Sequence, residues 1–344
     1  MSRWAVVLAG GVGSRFWPLS TPTRPKQLLP LVDERPLLVA TLDRLAPLVP
    51  PSRTLVLTNT TLVDAVRAHA PLVPPENVIA EPKPAGTGGA LAWAASEIER
   101  REGTAAVMLS VHADWAIADD QGFRAALDRA AAIAESTGSL VTVGVVPTRP
   151  DTGFGYVRPG PPLASGGFHV ERFVEKPDRA AAERMIADGY LWNSGIFAWR
   201  VGDFLAEVRA LTPELAPALD SANGDAARFF AQATPVTVDN GVLERSTRVA
   251  VIPASFGWDD VGTWASLARV RRRDADGNAA SGPVFLVEAR DNVVHAEQSD
   301  VVLYGVHDLV VVVRDGLTLV TTREHSADLK ALVASLPDAV RERP

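Results

Sequence analysis

Trp4-Ala-Val-Val-Leu-Ala-Gly-Gly-Val-Gly-Ser-Arg15 opens the chain and leads into Arg24-Pro-Lys-Gln-Leu-Leu-Pro30. The first run is apolar, β-branched and too short for a buried helix, and it stops at Gly10-Gly11. That pattern predicts a central strand entering a glycine loop. Glycines at a strand end let backbone N–H groups approach a ligand, and clustered N–H groups cradle phosphate oxygens. The stretch is therefore a candidate nucleotide site.

Two familiar phosphate loops do not fit it. The P-loop needs a Gly-Lys-Ser/Thr ending that opens a helix, whereas Gly13 is followed by Ser14-Arg15. The dinucleotide fingerprint needs a third glycine where Phe16 stands and an unbroken helix after it, which Pro18, Pro22, Pro25 and Pro30 forbid. What is left is a long irregular loop carrying Arg15, Arg24 and Lys26, cations that suit a triphosphate. On spacing alone the same residues also fit a glycine turn with solvated charges.

Composition narrows the partners. The 344 residues, 47% of them hydrophobic, supply an ample core for one large domain or two. A net charge of −7 and a pI near 5.5 leave no electrostatic footprint for nucleic acid or an anionic membrane, so an anionic ligand must be held by local cations. With no cysteine, disulfides and cysteine-ligated zinc are excluded, which fits a reducing compartment. The opening apolar run is too short for a signal-peptide core and no segment reaches membrane-spanning length, so a cytoplasmic protein is expected.

Helical spacing over 36–48, 63–70, 90–100 and 123–136 alternates with strand-like runs at 54–58, 105–111 and 140–146. This predicts an α/β fold with a mostly parallel mixed sheet flanked by helices. Glu81-Pro-Lys-Pro-Ala-Gly-Thr-Gly-Gly89 precedes a helix and offers free N–H groups to an anion or a base edge, or serves as an ordinary cap. The strand at 105–111 delivers His112-Ala-Asp114-Trp115 to its carboxyl end, where ligands of open α/β sheets sit. A carboxylate there, with phosphates nearby, suits magnesium; alone it equally reads as a cap or turn former. The six histidines are scattered without zinc-like spacing.

Further on, Thr148-Arg-Pro-Asp-Thr-Gly-Phe-Gly-Tyr156 is a loop in which backbone can lie against a sugar ring. Residues 158–167 read as a structural surface hairpin loop. A half-buried strand at 168–174 ends in Glu175-Lys176-Pro177, which could stand as an exposed ion pair. Leu191-Trp-Asn193-Ser194-Gly195 feeds an apolar strand; Ser194 lacks a nucleophile elbow. Helices are expected over 201–218 and 225–233, a strand at 249–253, then Phe256-Gly-Trp-Asp-Asp260-Val-Gly-Thr-Trp264. The polar break at 271–278 divides the chain into domains 1–273 and 274–344. Short valine-rich strands at 284–287, 292–295, 301–304, 309–313 and 317–321, closed by a helix at 326–336, predict a small β-solenoid or β-roll. Packing, subunit contact in a homodimer and cover of the active site are the roles open to it.

Leu8-Ala-Gly-Gly-Val-Gly-Ser-Arg-Phe-Trp-Pro18, followed by Pro25-Lys26-Gln27, closely resembles the signature of the sugar-1-phosphate nucleotidyltransferases, most of all the mannose-1-phosphate guanylyltransferases. The resemblance spans essentially the whole chain. It implies the Rossmann-like nucleotide-diphospho-sugar transferase fold and transfer from GTP to mannose 1-phosphate with Mg²⁺, giving GDP-mannose and pyrophosphate. It places the nucleotide on Leu8, Ala9, Gly10, Gly11, Gly13, Ser14, Arg15, Lys26, Glu81, Thr87 and Gly88. Ala85-Gly86-Thr87 stands where relatives have Arg-Asn-Thr, which leaves backbone contact near Thr87 and Gly88. The metal is implied on Asp114 and Asp260, with Trp115 replacing the family's histidine. Gly155, Glu175, Lys176 and Asn193 are implied for the sugar phosphate, and Arg15, Lys26, Asp114 and Lys176 for catalysis. Another base or sugar, and a non-catalytic nucleotide-sugar sensor, are the alternative readings.

Overall fold

A computed structural model describes residues 1–11 and 13–341, the side chain of residue 330 excepted. The chain forms two compact units, neither continuous in sequence. The first comprises residues 1–10, 42–113 and 119–258; the second comprises 11–41, 114–118 and 259–344.

The first unit holds a mixed sheet of nine strands among the described residues. They are β1 (Arg3–Leu8), β2 (Thr54–Asn59), β3 (Val78–Glu81), β4 (Val107–His112), β5 (Leu140–Val145), β6 (Tyr156–Pro162), β7 (Phe168–Val174), β8 (Leu191–Arg200) and β9 (Val249–Ala254). Their order is β3-β2-β1-β4-β8-β5-β9-β7-β6. Only β7 and β8 run against the rest, since every antiparallel pairing involves one of them. The mostly parallel direction follows from strands buried on both faces: β5 and the last five residues of β1 are entirely buried. Parallel register sets Leu8 beside Leu57 and His112, and Asn59 beside Glu81, so these carboxyl ends share one edge of the sheet.

Helices cover the sheet with apolar faces. Ala90, Leu91, Ala94 and Ile98 of the helix Gly86–Glu102 join Phe204, Leu205 and Val208 of the helix Val201–Leu211 in one core with Trp4, Val6 and Leu57. The Trp199 and Phe204 rings stack there, 4.3 Å apart. The helix Asp120–Thr137 starts where the Asp119 carboxylate accepts from the N–H groups of Gln121 and Gly122, and stops at Gly138, whose φ of 67° suits glycine.

Two expectations change. The helix expected over 201–218 is two, Val201–Leu211 and Ala216–Ala222, because Pro213 cannot continue the first. Part of the loop expected at 158–167 is strand, β6 reaching Pro162. Its prolines, lacking an N–H, are tolerated because β6 pairs with β8 only at Tyr156 and Val157, so the proline stretch beyond them has β7 alone as partner, and that pairing shifts register there.

The second unit carries the appendage. Its strands are β10 (Ala279–Ser281), β11 (Val284–Val287), β12 (Val293–Ala296), β13 (Val301–Tyr304), β14 (Leu309–Arg314) and β15 (Leu317–Thr322). Parallel rungs stack Ala279 on Val293 and Val293 on Val310, and Val284 on Val301; β15 closes the stack antiparallel to β14. This is the expected small β-solenoid. Buried asparagines pin its turns: Asn278 Oδ1 accepts from the Asn292 backbone and side chain at 3.0 Å, and Asn292 Oδ1 accepts from Leu309 N–H at 2.9 Å.

The glycine loop and its continuation belong to this unit. Phe16, Trp17, Leu19, Leu29, Leu31 and Leu37 share a core with Trp264, Leu267, Val293, Val310, Val312 and Leu319. Loop carbonyls that no strand satisfies are met by side chains: Trp264 Nε1 donates to Trp17 O at 3.0 Å, Arg271 Nε to Leu31 O at 2.6 Å and Arg314 to Pro18 O at 3.0 Å. No helix among the described residues is long and apolar enough to cross a membrane.

Candidate active site

In the second unit, Pro25 is extended and leads into the short turn Lys26–Leu28, which buries Lys26. Its ammonium lies 3.0 Å from Asp114 Oδ2, donates to the Asp260 carbonyl at 2.6 Å, and sits 5.9 Å from the Phe16 ring centre. Gly13 permits this approach. Its φ is 67°, and a Cβ on it would lie 2.3 Å from Lys26 Cβ. The sequence-predicted Lys26, Asp114, Asp260 and Gly13 are thus brought together.

The two adjacent acids at 259 and 260 differ. Asp259 is buried, paired by both oxygens with Arg269 at 2.8 and 3.1 Å, and accepts from Val261 N–H at 2.9 Å. Asp260 is half-buried, and a Cβ on Gly262 would come within 2.7 Å of its Oδ2. Between them and Gly262, Val261 is fully buried with φ 49°, a strained conformation for a β-branched residue and one found where surroundings over-determine a site. Asp114 brings a carboxylate oxygen and Asp260 its main-chain carbonyl oxygen to one ammonium, and hard oxygen donors of this kind suit a divalent ion completed by phosphate oxygens. Among the described residues no group of three or more histidines, cysteines or acids could hold a metal alone.

Arg15 stands exposed on the turn Ser14–Phe16 and forms no ion pair among the described residues. Arg24, by contrast, is bound to Glu297 of the appendage at 2.8 Å.

In the first unit, Leu8 and Ala9 are buried at the end of β1, where Ala9 N–H donates to Leu57 O at 2.8 Å and Ala9 O accepts from the Thr58 hydroxyl at 3.0 Å. Gly10 is exposed beside Glu81, whose Oε1 would be 3.7 Å from a Cβ on that glycine. Burial pushes the Glu81 carboxyl up to about 7, against the opposing Ala85 N–H.

Thr87 and Gly88 are engaged within the fold. Gly88 N–H donates to Val236 O at 3.0 Å, and the Thr87 hydroxyl accepts from Val238 N–H at 3.0 Å. A Cβ on Gly86 or Gly88 would lie 2.3 or 2.8 Å from Val236 O, so these glycines admit a neighbouring chain segment.

Gly155, Glu175, Lys176 and Asn193 do gather. Asn193 N–H donates to Gly155 O at 2.8 Å, a Cβ on Gly155 would lie 2.7 Å from Glu175 Oε2, and Lys176 Nζ is 2.8 Å from Glu175 Oε1. Lys176 has φ 43°, a second strained non-glycine position. The Asn193 amide is fixed from both ends, accepting from the Thr142 hydroxyl at 3.2 Å and donating to Asp239 Oδ1 at 2.8 Å. Sequence reasoning missed Asp239. It opens a π-helical turn, Asp239–Leu243, and nothing in its local pattern connects it with Asn193, 46 residues away.

The sequence pattern of the nucleotidyl transferase family matches residues 4–277. The xanthan biosynthesis protein XanB of Xanthomonas campestris is 37% identical over 98% of this chain and 73% of its own. The mannose-1-phosphate guanylyltransferase of Escherichia coli is 36% identical over 97% of this chain and 73% of its own. A crystal structure from Thermus thermophilus, described as a mannose-1-phosphate geranyltransferase, superimposes with a TM-score of 0.91 at 35% identity, covering 97% of this chain and 99% of that one. By its sequence pattern, its relatives and its fold, the chain belongs to the nucleotidyl transferase family, among the mannose-1-phosphate guanylyltransferases.

Proposed function

We propose that this chain transfers the guanylyl group of GTP to mannose 1-phosphate, giving GDP-mannose and pyrophosphate. The observation that carries the reading is the buried Lys26 ammonium, held between the Asp114 carboxylate and the Asp260 carbonyl beneath a glycine loop. The attacking phosphate is already an anion, so the protein's task is positioning and charge neutralisation rather than proton removal.

Lys26 and Arg15 hold the β- and γ-phosphates and meet the charge that moves onto pyrophosphate as the bond breaks. Asp114 and Asp260 would hold Mg²⁺, which would supply Lewis-acid neutralisation of the phosphate oxygens. Lys176 orients the attacking phosphate, and Gly155, Glu175 and Asn193 take the sugar. Leu8, Ala9, Gly10, Gly11, Gly13 and Ser14 line the nucleotide's path. Glu81, beside Gly10, favours guanine because a carboxylate accepts from adjacent ring and amino N–H groups. Thr87 and Gly88 contribute by seating the 236–238 segment. Residues 1–273 form the catalytic domain and 274–344 the appendage that supports its loop.

Pyrophosphate release from each of the four nucleoside triphosphates, with a panel of sugar 1-phosphates and Mg²⁺, tests this reading. GTP with mannose 1-phosphate is expected to be the best pair. A different preferred base or sugar would reassign the substrates, and binding without any release would make the chain a sensor.

A further inference from the structure

Asp239 is delivered by a segment clamped from below. Val236 N–H donates to Ala85 O at 3.1 Å, Gly88 and Thr87 bind Val236 and Val238 as described, and the Thr212 hydroxyl donates to Gly241 O at 2.7 Å inside the π-helical turn. One carboxylate oxygen of Asp239 accepts from Asn193, and the other makes no hydrogen bond to another residue among the described ones. Glu175 lies near enough for its charge to oppose ionisation of Asp239, and no cation is paired with Asp239 among the described residues. Burial pushes this carboxyl up to about 6, with the charges of Glu175 and Glu244 adding to it and the Asn193 amide opposing. A carboxylate placed so does little for the fold, since leaving part of it unpaired costs free energy.

The Asn193 amide spends one of its two N–H donors on Asp239 and one acceptor position on Thr142, which leaves one of each. With the Glu175 carboxylate beside it, the locus is rich in acceptors. The chemistry that matches is an uncharged group carrying several O–H donors: the hydroxyls of a sugar ring.

We infer that Asp239 is a further sugar-binding residue of this site, taking a ring hydroxyl of the hexose on its second oxygen while the first fixes the Asn193 amide. The inference rests on the proposed reaction and adds to it a residue that sets sugar preference.

Steady-state kinetics of the wild type, Asp239→Asn and Asp239→Ala, with the hexose 1-phosphate and each of its monodeoxy analogues, test it. Both substitutions should raise KM for the hexose 1-phosphate, Asp239→Ala by about 10-fold or more as for a hydrogen bond to a charged group. KM for the nucleoside triphosphate and the melting temperature should hold. For one deoxy analogue the wild-type penalty should vanish in Asp239→Ala, because the lost hydroxyl and the lost carboxylate are two ends of one contact. If every analogue is penalised equally in wild type and variants, Asp239 is structural and the inference falls while the reaction stands. If the wild type turns over no sugar 1-phosphate, the proposed function fails and the inference with it.

Discussion

The Lys26 ammonium lies 3.0 Å from the Asp114 carboxylate, and both belong to the second unit although 88 residues separate them. The lysine side chain is 7% exposed and the aspartate's 32%, so the pair is shielded on the cationic side and open on the anionic one. A positive group held in this way is preorganised, which is what makes an electrostatic contribution to phosphate chemistry large.

Replacing either partner should cost turnover and spare the fold. Lys26→Ala or Asp114→Asn is expected to lower the rate of pyrophosphate release by about 10²-fold or more, the order for one preorganised charge-stabilising group. Arg24→Ala should cost less, since that guanidinium is engaged with Glu297. Rates measured beside melting curves check this; near-normal release by Lys26→Ala would contradict the assignment.

Gly13 is constrained twice, by a φ of 67° and by the 2.3 Å approach to Lys26 Cβ. Gly13→Ala must therefore displace the turn that carries Lys26, and its activity should fall toward that of Lys26→Ala. Should Gly13→Ala keep wild-type kinetics, the lysine would not depend on this packing.

Glu81 supplies a pH signature. Its carboxyl is raised from the ordinary carboxylate value to about 7 by burial, so it is neutral below that pH and charged above. Guanine N–H groups prefer the charged acceptor, so KM for GTP should decrease as pH rises from about 6 to about 8, and Glu81→Gln should flatten the profile. In the fold the sign is the reverse: the neutral form is favoured, so the relative stabilisation present at low pH is lost as pH rises through about 7. A Glu81→Gln profile with the wild-type slope would remove Glu81 from base recognition.

Trp264 ties the loop to the appendage. It is fully buried, its ring centre is 5.2 Å from that of Phe16, and its indole N–H satisfies Trp17 O. Trp264→Ala should destabilise by about 3–5 kcal/mol, the usual cost of truncating a buried aromatic. Denaturant melts give that number, and the folded fraction should also turn over more slowly because the loop carrying Lys26 loses its support. Unchanged activity in the folded protein would show that the loop holds its shape without this contact.

The resemblance of the sequence to the family singled out Lys26, Asp114 and Asp260, and the sequence by itself determined most of the strands and the glycine loop. These depend on local causes: β-branched runs, the left-handed freedom of glycine, and proline's refusal of helix. Only tertiary structure decided that Asp259 is a structural partner of Arg269 while its neighbour Asp260 stays half-exposed, because two like acids in a row differ only in what surrounds them. The same holds for Gly86 and Gly88, whose space is filled by Val236, and for Asp239, which meets Asn193 through that seating. It also decided that residues 11–41 pack with the solenoid, since burial of Phe16, Trp17 and Leu29 selects a partner surface through space, and spacing along the chain carries no record of it.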